Sequence, residues 1–205
     1  MRVRGVVKVG VVNYGVGNVG SIFNALRRIE AEPLLINNTA DLRSVDAVIL
    51  PGVGSFNSAM VNLSRLTDEL NRVRGSSPIL GICLGLQLMF KGSDEGELRG
   101  LGWYDGWVNR IRGPRVPHIG WDYVKLSGDC NLGVARGYYY FMHSYAVVNP
   151  VNEPPFVGFT KYGDSTILSV LCDEGNATYG TQFHPEKSGK LGLSILNGLV
   201  NLARR

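Results

Sequence analysis

"SPILGICLGLQLMF", residues 77–90, is an apolar run that stops at a thiol flanked by Gly81 and Gly85. Its first half reads as a buried strand, and the residues after Cys83 read as a helix. A side chain at such a strand-to-helix corner is lifted clear of the sheet, over the unpaired N–H groups of the first helical turn. Those groups and the positive end of the helix dipole favour a thiolate. The two glycines let the chain turn tightly without covering the sulfur. The N–H of Leu84 then points to where a tetrahedral oxyanion forms. Cys83 therefore reads as an acyl-transfer nucleophile, against the alternative of a small buried hydrophobe at a strand end.

A nucleophilic thiol needs a base. "GTQFHPEKS", residues 180–188, offers a strand that delivers His184, with Glu186 two residues on. In extended chain residues i and i+2 share a face, so Glu186 can hold one imidazole nitrogen while the other meets the thiol. A third piece, "VILPGVGSF" (48–56), places Gly52 just past a strand expected to lie beside that of Cys83. Its N–H is a second candidate oxyanion donor, since ligands of open α/β sheets collect at the carboxyl ends of strands. The alternatives are a surface histidine beside a solvated carboxylate and an ordinary glycine turn.

Outward from the thiol, the first half alternates. "VVKVGVV" (6–12), "PLLIN" (33–37) and "DAVILP" (46–51) read as strands, and residues 21–30 and 57–74 as helices with apolar side chains at helical spacing. This predicts an α/β fold: an open, mostly parallel sheet with helices on both faces. Past Gly92 the strands follow one another, at 106–111, 120–126, 137–148, 156–162, 166–172 and 177–183, before a helix around 191–202. The second half is thus β-rich and partly antiparallel. No linker interrupts the chain, and one domain over residues 1–205 is expected.

Composition narrows the function. With 44% apolar and 19% charged residues the chain is of globular type. The net charge of +4 comes in part from Arg2, Arg4, Arg204 and Arg205, read as solvated ends, and no basic stripe of a nucleic-acid binder is present. No apolar run is long enough to cross a membrane, and none resembles a signal peptide. Cys83, Cys130 and Cys172 are odd in number and form no CxxC pair, which predicts no disulfide framework and a reducing cytoplasm. Three scattered histidines lack zinc-ligand spacing, and "GVGNVG" (15–20) falls short of a dinucleotide fingerprint, so neither metal nor cofactor is expected.

Together, "GICLGLQ" (81–87), "PGVG" (51–54) and "FHPEKS" (183–188) resemble the motifs of the class I (triad) glutamine amidotransferases, in order and over nearly the whole chain. The resemblance implies Cys83 as nucleophile, His184 as base and acid, Glu186 as orienter, and Gly52 and Leu84 as oxyanion donors. It implies glutamine as substrate, held by Gln87, Glu95 and the stretch His143-Ser144-Tyr145, with Glu95 on the α-ammonium and backbone around Ser144 on the carboxylate.

"NYGVGN" (13–18), "PGVGSF" (51–56), "PHIGWD" (117–122), "YYYFMHSY" (138–145) and "HPEKS" (184–188) are similar to one branch of that family. Its members feed ammonia to a (β/α)8-barrel cyclase in histidine biosynthesis. That implies a partner face near Asn13, Trp121, Asp122, Tyr140 and Lys187. Asn13 stands where many relatives carry Asp, and Asp122 where relatives usually carry Asn. The glycines of "PGVG" add an expectation of low basal turnover until the partner engages. Rival readings are a glutaminase for another synthase (of pyridoxal phosphate or anthranilate), a non-catalytic module of the same fold, and an unrelated thiol hydrolase.

Overall fold

The structure is a computed structural model that describes residues 5–15, 19–151 and 153–204. Val16, Gly17 and Asn18 of "NYGVGN", with Arg2, Arg4 and Arg205, lie outside the described residues. In chain order the first half runs β1 (Lys8–Val12), α1 (Val19–Arg28), β2 (Glu32–Ile36), α2 (Thr39–Arg43), β3 (Ala47–Leu50), α3 (Phe56–Leu63), α4 (Thr67–Val73), β4 (Ile79–Ile82) and α5 (Leu84–Gln87). The second half runs β5 (Asn109–Arg110), β6 (His118–Leu126), β7 (Gly137–His143), β8 (Tyr145–Ala146), β9 (Phe156–Tyr162), β10 (Ser165–Asp173), β11 (Thr178–Thr181) and α6 (Gly189–Ala203).

Nine strands form one sheet in the order β2-β1-β3-β4-β11-β10-β9-β6-β7, and β5 pairs with β8 apart from it. Pairing is parallel from β2 to β11 and antiparallel from β11 to β7. The α/β architecture read from the sequence is therefore present, with both halves joined edge to edge. Alternation along the strands explains its two apolar layers. Val9, Val11, Ile49, Leu80 and Ile82 face α1 and α6, where Ile22, Leu26, Ile195 and Leu199 meet them. Val48, Leu50 and Ile79 face the other way, against Phe56, Leu63, Leu66 and Leu70. Each of these aliphatic side chains, fully buried, contributes roughly 1.5–3 kcal/mol. No helix among the described residues is long and apolar enough to cross a membrane.

Several expectations need correction. The helix expected over 57–74 is broken by a 3-10 turn at Ser64–Leu66. α2 was not foreseen; Asn38 caps it by accepting from the N–H groups of Ala40 and Asp41, while Asp41 reaches back to the Asn38 N–H. The strand expected over 137–148 is divided at Ser144. Most plainly, Cys130 and Cys172 form a disulfide, against the expectation of none. They are 42 residues apart, and only the sheet brings the loop after β6 against the end of β10. Spacing along the chain carries no trace of that neighbourhood. Asn131 reinforces it, its backbone N–H and side-chain amide both donating to the Glu174 carboxylate, at 2.9 and 2.6 Å.

Candidate active site

Cys83 sits between β4 and α5 with φ 50° and ψ −105°. A side chain with φ in that range is strained by about 1–3 kcal/mol and persists only when its surroundings hold it. They do: the Cys83 N–H donates to the Thr181 carbonyl at 2.7 Å, and the Cys83 carbonyl accepts from the Gln87 N–H at 3.1 Å. Close backbone approach completes the clamp. A Cβ on Gly52 would lie 2.5 Å from the Ile82 oxygen and 2.8 Å from the Cys83 Cβ. A Cβ on Gly85 would collide with the Leu50 carbonyl. α5 is a single turn of four residues, too short to supply the helix dipole expected from the sequence. What remains is local: the N–H groups of Leu84 and Gly85, which have no partner within the turn.

β11 runs parallel to β4 in register Thr181 to Ile82, which brings the residues after both strands to one end of the sheet. His184 follows there, 1% exposed. Its Nδ1 and Glu186 Oε1 are 2.8 Å apart. The expected pair thus forms, though by a different route: Pro185–Lys187 is a 3-10 turn, and Pro185 turns the chain so that Glu186 folds back under the ring. The His184 N–H donates to the Tyr140 carbonyl at 2.9 Å, and Ser188 Oγ donates to the His184 carbonyl at 2.6 Å. The other ring nitrogen, Nε2, is buried and makes no conventional hydrogen bond. Burial opposes the charge of His184, but the nearby Cys83, followed by Glu186, outweighs it and raises its pKa to about 10. His184 is therefore held as the imidazolium beside the sulfur.

In front of Cys83 lies a cleft of about 250 Å³ lined by Gly52, Leu84, Gln87, Glu95, His143, Ser144 and Tyr145, among others. Every residue expected in the oxyanion hole and the substrate pocket thus faces one space with the thiol. Gln87 Nε2 donates to the Tyr145 carbonyl at 2.7 Å and to Gln182 Oε1 at 3.3 Å. Glu95 Oε2 accepts the Phe56 N–H at 3.0 Å at the start of α3, so one carboxylate oxygen is committed to that helix end. His143 Nδ1 lies 3.1 Å from the Tyr145 carbonyl and its Nε2 lies 3.3 Å from His118 Nδ1. Burial, then His118, pull the His143 pKa down to about 3, against the bond to Tyr145. His143 is therefore a neutral wall, with Nδ1 donating to the Tyr145 carbonyl.

Of the residues expected at a partner face, Trp121, Asp122 and Tyr140 lie on the β6–β7 hairpin, Lys187 on the His184 turn and Asn13 apart from them, after β1. Trp121 is 55% exposed and stands opposite Tyr140 in register, their ring centroids 6.0 Å apart. Lys187 is half-buried on the 3-10 turn, and Asn13 is half-buried at the end of β1, donating from Nδ2 to Asn37 Oδ1. Asp122 points partly inward, its Oδ2 at 3.4 Å from His118 Nε2. Two residues with contacts here escaped the sequence reading, Gln182 and His118. Gln182 carries a usable signal, two places before His184 in "TQFH". His118 carries none, because its place beside His143 depends on β6–β7 register.

Residues 10–199 match the family model described as glutamine amidotransferase class-I. The chain is 40% identical over 197 residues to "Imidazole glycerol phosphate synthase subunit HisH" of Pyrobaculum aerophilum, covering 96% of this chain and 99% of that one. Against the protein of the same name from Methanocaldococcus jannaschii it is 41% identical over 200 residues, covering 95% and 99%. Among solved structures, PurLQS from Thermotoga maritima superposes with a TM-score of 0.77 at 17% identity, over 96% of this chain and 99% of that one.

Proposed function

Because the chain belongs to the class I glutamine amidotransferase family, among relatives that share the HisH name, we propose that it is the glutaminase of imidazole glycerol phosphate synthase. It hydrolyses glutamine to glutamate and ammonia in histidine biosynthesis. The observation that carries this reading is Cys83, held on a strained corner beside a histidine whose other nitrogen is fixed by a buried carboxylate.

The residues act as follows. The Cys83 thiolate attacks the side-chain amide carbon of glutamine, and the oxyanion meets the N–H groups of Gly52 and Leu84. His184 gives its proton to the departing nitrogen, ammonia leaves, and a glutamyl thioester remains. His184 then takes a proton from water, whose oxygen attacks the thioester carbon; glutamate departs and the sulfur is restored. Glu186 keeps Nδ1–H oriented throughout. Glu95 serves the α-ammonium with its remaining oxygen, while Gln87 and the His143-Ser144-Tyr145 stretch shape the cleft.

Ammonia released into water is protonated and lost, so this chemistry calls for a docked acceptor. We assign that role to a (β/α)8-barrel cyclase, seated over Asn13, Trp121, Asp122, Tyr140 and Lys187, with the ammonia passing directly between the subunits of a heterodimer. Exposed aromatic residues at the hairpin suit a protein interface. The Tyr140 carbonyl accepts the His184 N–H, so the strand carrying this face also touches the base. The test is glutamine hydrolysis by wild type and Cys83→Ala, each with and without the cyclase and its ribonucleotide substrate. Wild type should be slow alone and rise strongly in the complex, while Cys83→Ala stays inactive in both. Turnover by Cys83→Ala would end the assignment.

A further inference from the structure

We propose that Gln182 is the hydrogen-bond donor that holds the Cys83 sulfur in its thiolate form and ties it to the substrate pocket. This rests on Cys83 being the nucleophile. Gln182 is 1% exposed, and its backbone N–H is anchored on the Ser169 carbonyl at 3.0 Å. A buried carboxamide must be satisfied at both ends, and here one end is the sulfur.

The direction of the amide is set two links away. The Tyr145 carbonyl can only accept, so the Gln87 atom 2.7 Å from it must be the NH2 group. That same nitrogen lies 3.3 Å from the Gln182 amide, which must therefore present its oxygen. Gln182 Nε2 is left facing Cys83 Sγ at 3.5 Å. Flipping the Gln182 amide would set donor against donor, and flipping that of Gln87 would set acceptor against acceptor.

The sulfur's other contact explains why this matters. The Met142 carbonyl lies 3.8 Å from Sγ, where it can accept from S–H and repels S⁻. Met142 thus favours the protonated sulfur, whereas the Gln182 N–H and the His184 imidazolium favour the anion. A donor aimed at an anionic acceptor is roughly twice as strong as one aimed at a neutral acceptor. The chain from Tyr145 through Gln87 and Gln182 to Cys83 also begins in the cleft wall. A substrate that settles against Gln87 orders the donor of the atom that will attack it.

The experiment reads the sulfur directly. Gln182→Met keeps the length of the side chain and removes the amide, and Gln182→Glu replaces the donor by an acceptor. Gln87→Leu leaves the Gln182 amide in place and frees its orientation. In each full-length protein the rate of Cys83 alkylation by iodoacetamide is followed against pH, with melting by circular dichroism as the check on folding. The kcat and KM for glutamine are measured with the cyclase bound.

For Gln182→Met the midpoint of the alkylation profile should move to higher pH by roughly half to one unit, and further for Gln182→Glu. Gln87→Leu should move it less, in the same direction. At neutral pH, kcat should fall roughly five- to tenfold in Gln182→Met and recover at higher pH, which a packing defect would not produce. Should one variant fail to fold, the remaining two carry the test. Profiles that superimpose on wild type in the folded variants overturn the proposal. Cys83→Ser separates the two readings. If it still turns over glutamine, the nucleophile assignment itself fails; if it is inactive while the profiles superimpose, Gln182 alone loses its role.

Discussion

The parallel and antiparallel halves of the sheet do different work. The parallel half, from β2 to β4, is built of short strands, with β3 and β4 buried on both faces, and delivers one reactive atom, the Cys83 sulfur. The antiparallel half, from β10 to β7, ends in the partly exposed strands β6 and β7 and supplies His143, the Met142 carbonyl and the exposed aromatic hairpin. β11 is the seam, parallel to β4 and antiparallel to β10, and His184 follows it. The lesson is that the nucleophile and its base follow neighbouring parallel strands, β4 and β11, on one side of the change in strand direction, while the wall that faces the sulfur comes from the other side. Neither half holds a working site alone.

The pairing of nucleophile and base can be broken kinetically. Cys83→Ala and His184→Ala should each lower kcat for glutamine by at least about 10³-fold, and the double variant should be no worse than either. Additive losses in steady-state assays would mean that the two side chains do not act as a unit. A second break targets the parallel half. Gly85→Ala places a methyl group into the Leu50 carbonyl and should cost about 3 kcal/mol or more in urea unfolding. A mirror change in the antiparallel half is Cys130→Ser, which opens the Cys130–Cys172 loop. It should lower stability by about 2–4 kcal/mol, with glutamine turnover within about twofold of wild type.

The weakest effect is pH dependence, and it separates the halves by their acid limbs. Glu69, on α4, has its carboxyl held down to about 2 by hydrogen bonds from Arg43 and then Arg72. Its contribution is complete above 4.5 and is lost as the pH falls through about 2. His143 acts earlier, with a folded value of about 3 against 6.5 when unfolded. Between those values the unfolded chain binds a proton that the folded chain refuses, so stability falls as pH falls. His143→Asn should flatten the urea-unfolding midpoint between pH 6.5 and 4.5, a window in which Glu69 contributes no slope.

How much of this was legible follows the same division. The strands, the corner at Cys83 and the His184–Glu186 pair declare themselves through runs and spacings of a few residues, which is the range over which strand and helix periods operate. The disulfide, the His118–His143 contact and the Gln182 bond to sulfur join residues 42, 25 and 99 positions apart. Register between strands makes those meetings, and no local pattern encodes register across such distances. α5 shows the reverse error. An apolar sequence permits a long helix, but the carbonyls of Leu88 and Phe90 turn instead to the N–H groups of Leu101 and Gly102.

The clip at Cys130 has a mechanical consequence for the β6–β7 hairpin. Its closed tip is tethered covalently and through Asn131, while its other end forms the cleft wall. A beam pinned at the tip cannot swing away from a load. Trp121 and Tyr140 thus lie between the anchored tip and the end that carries Met142 and His143, with the Met142 carbonyl beside the sulfur.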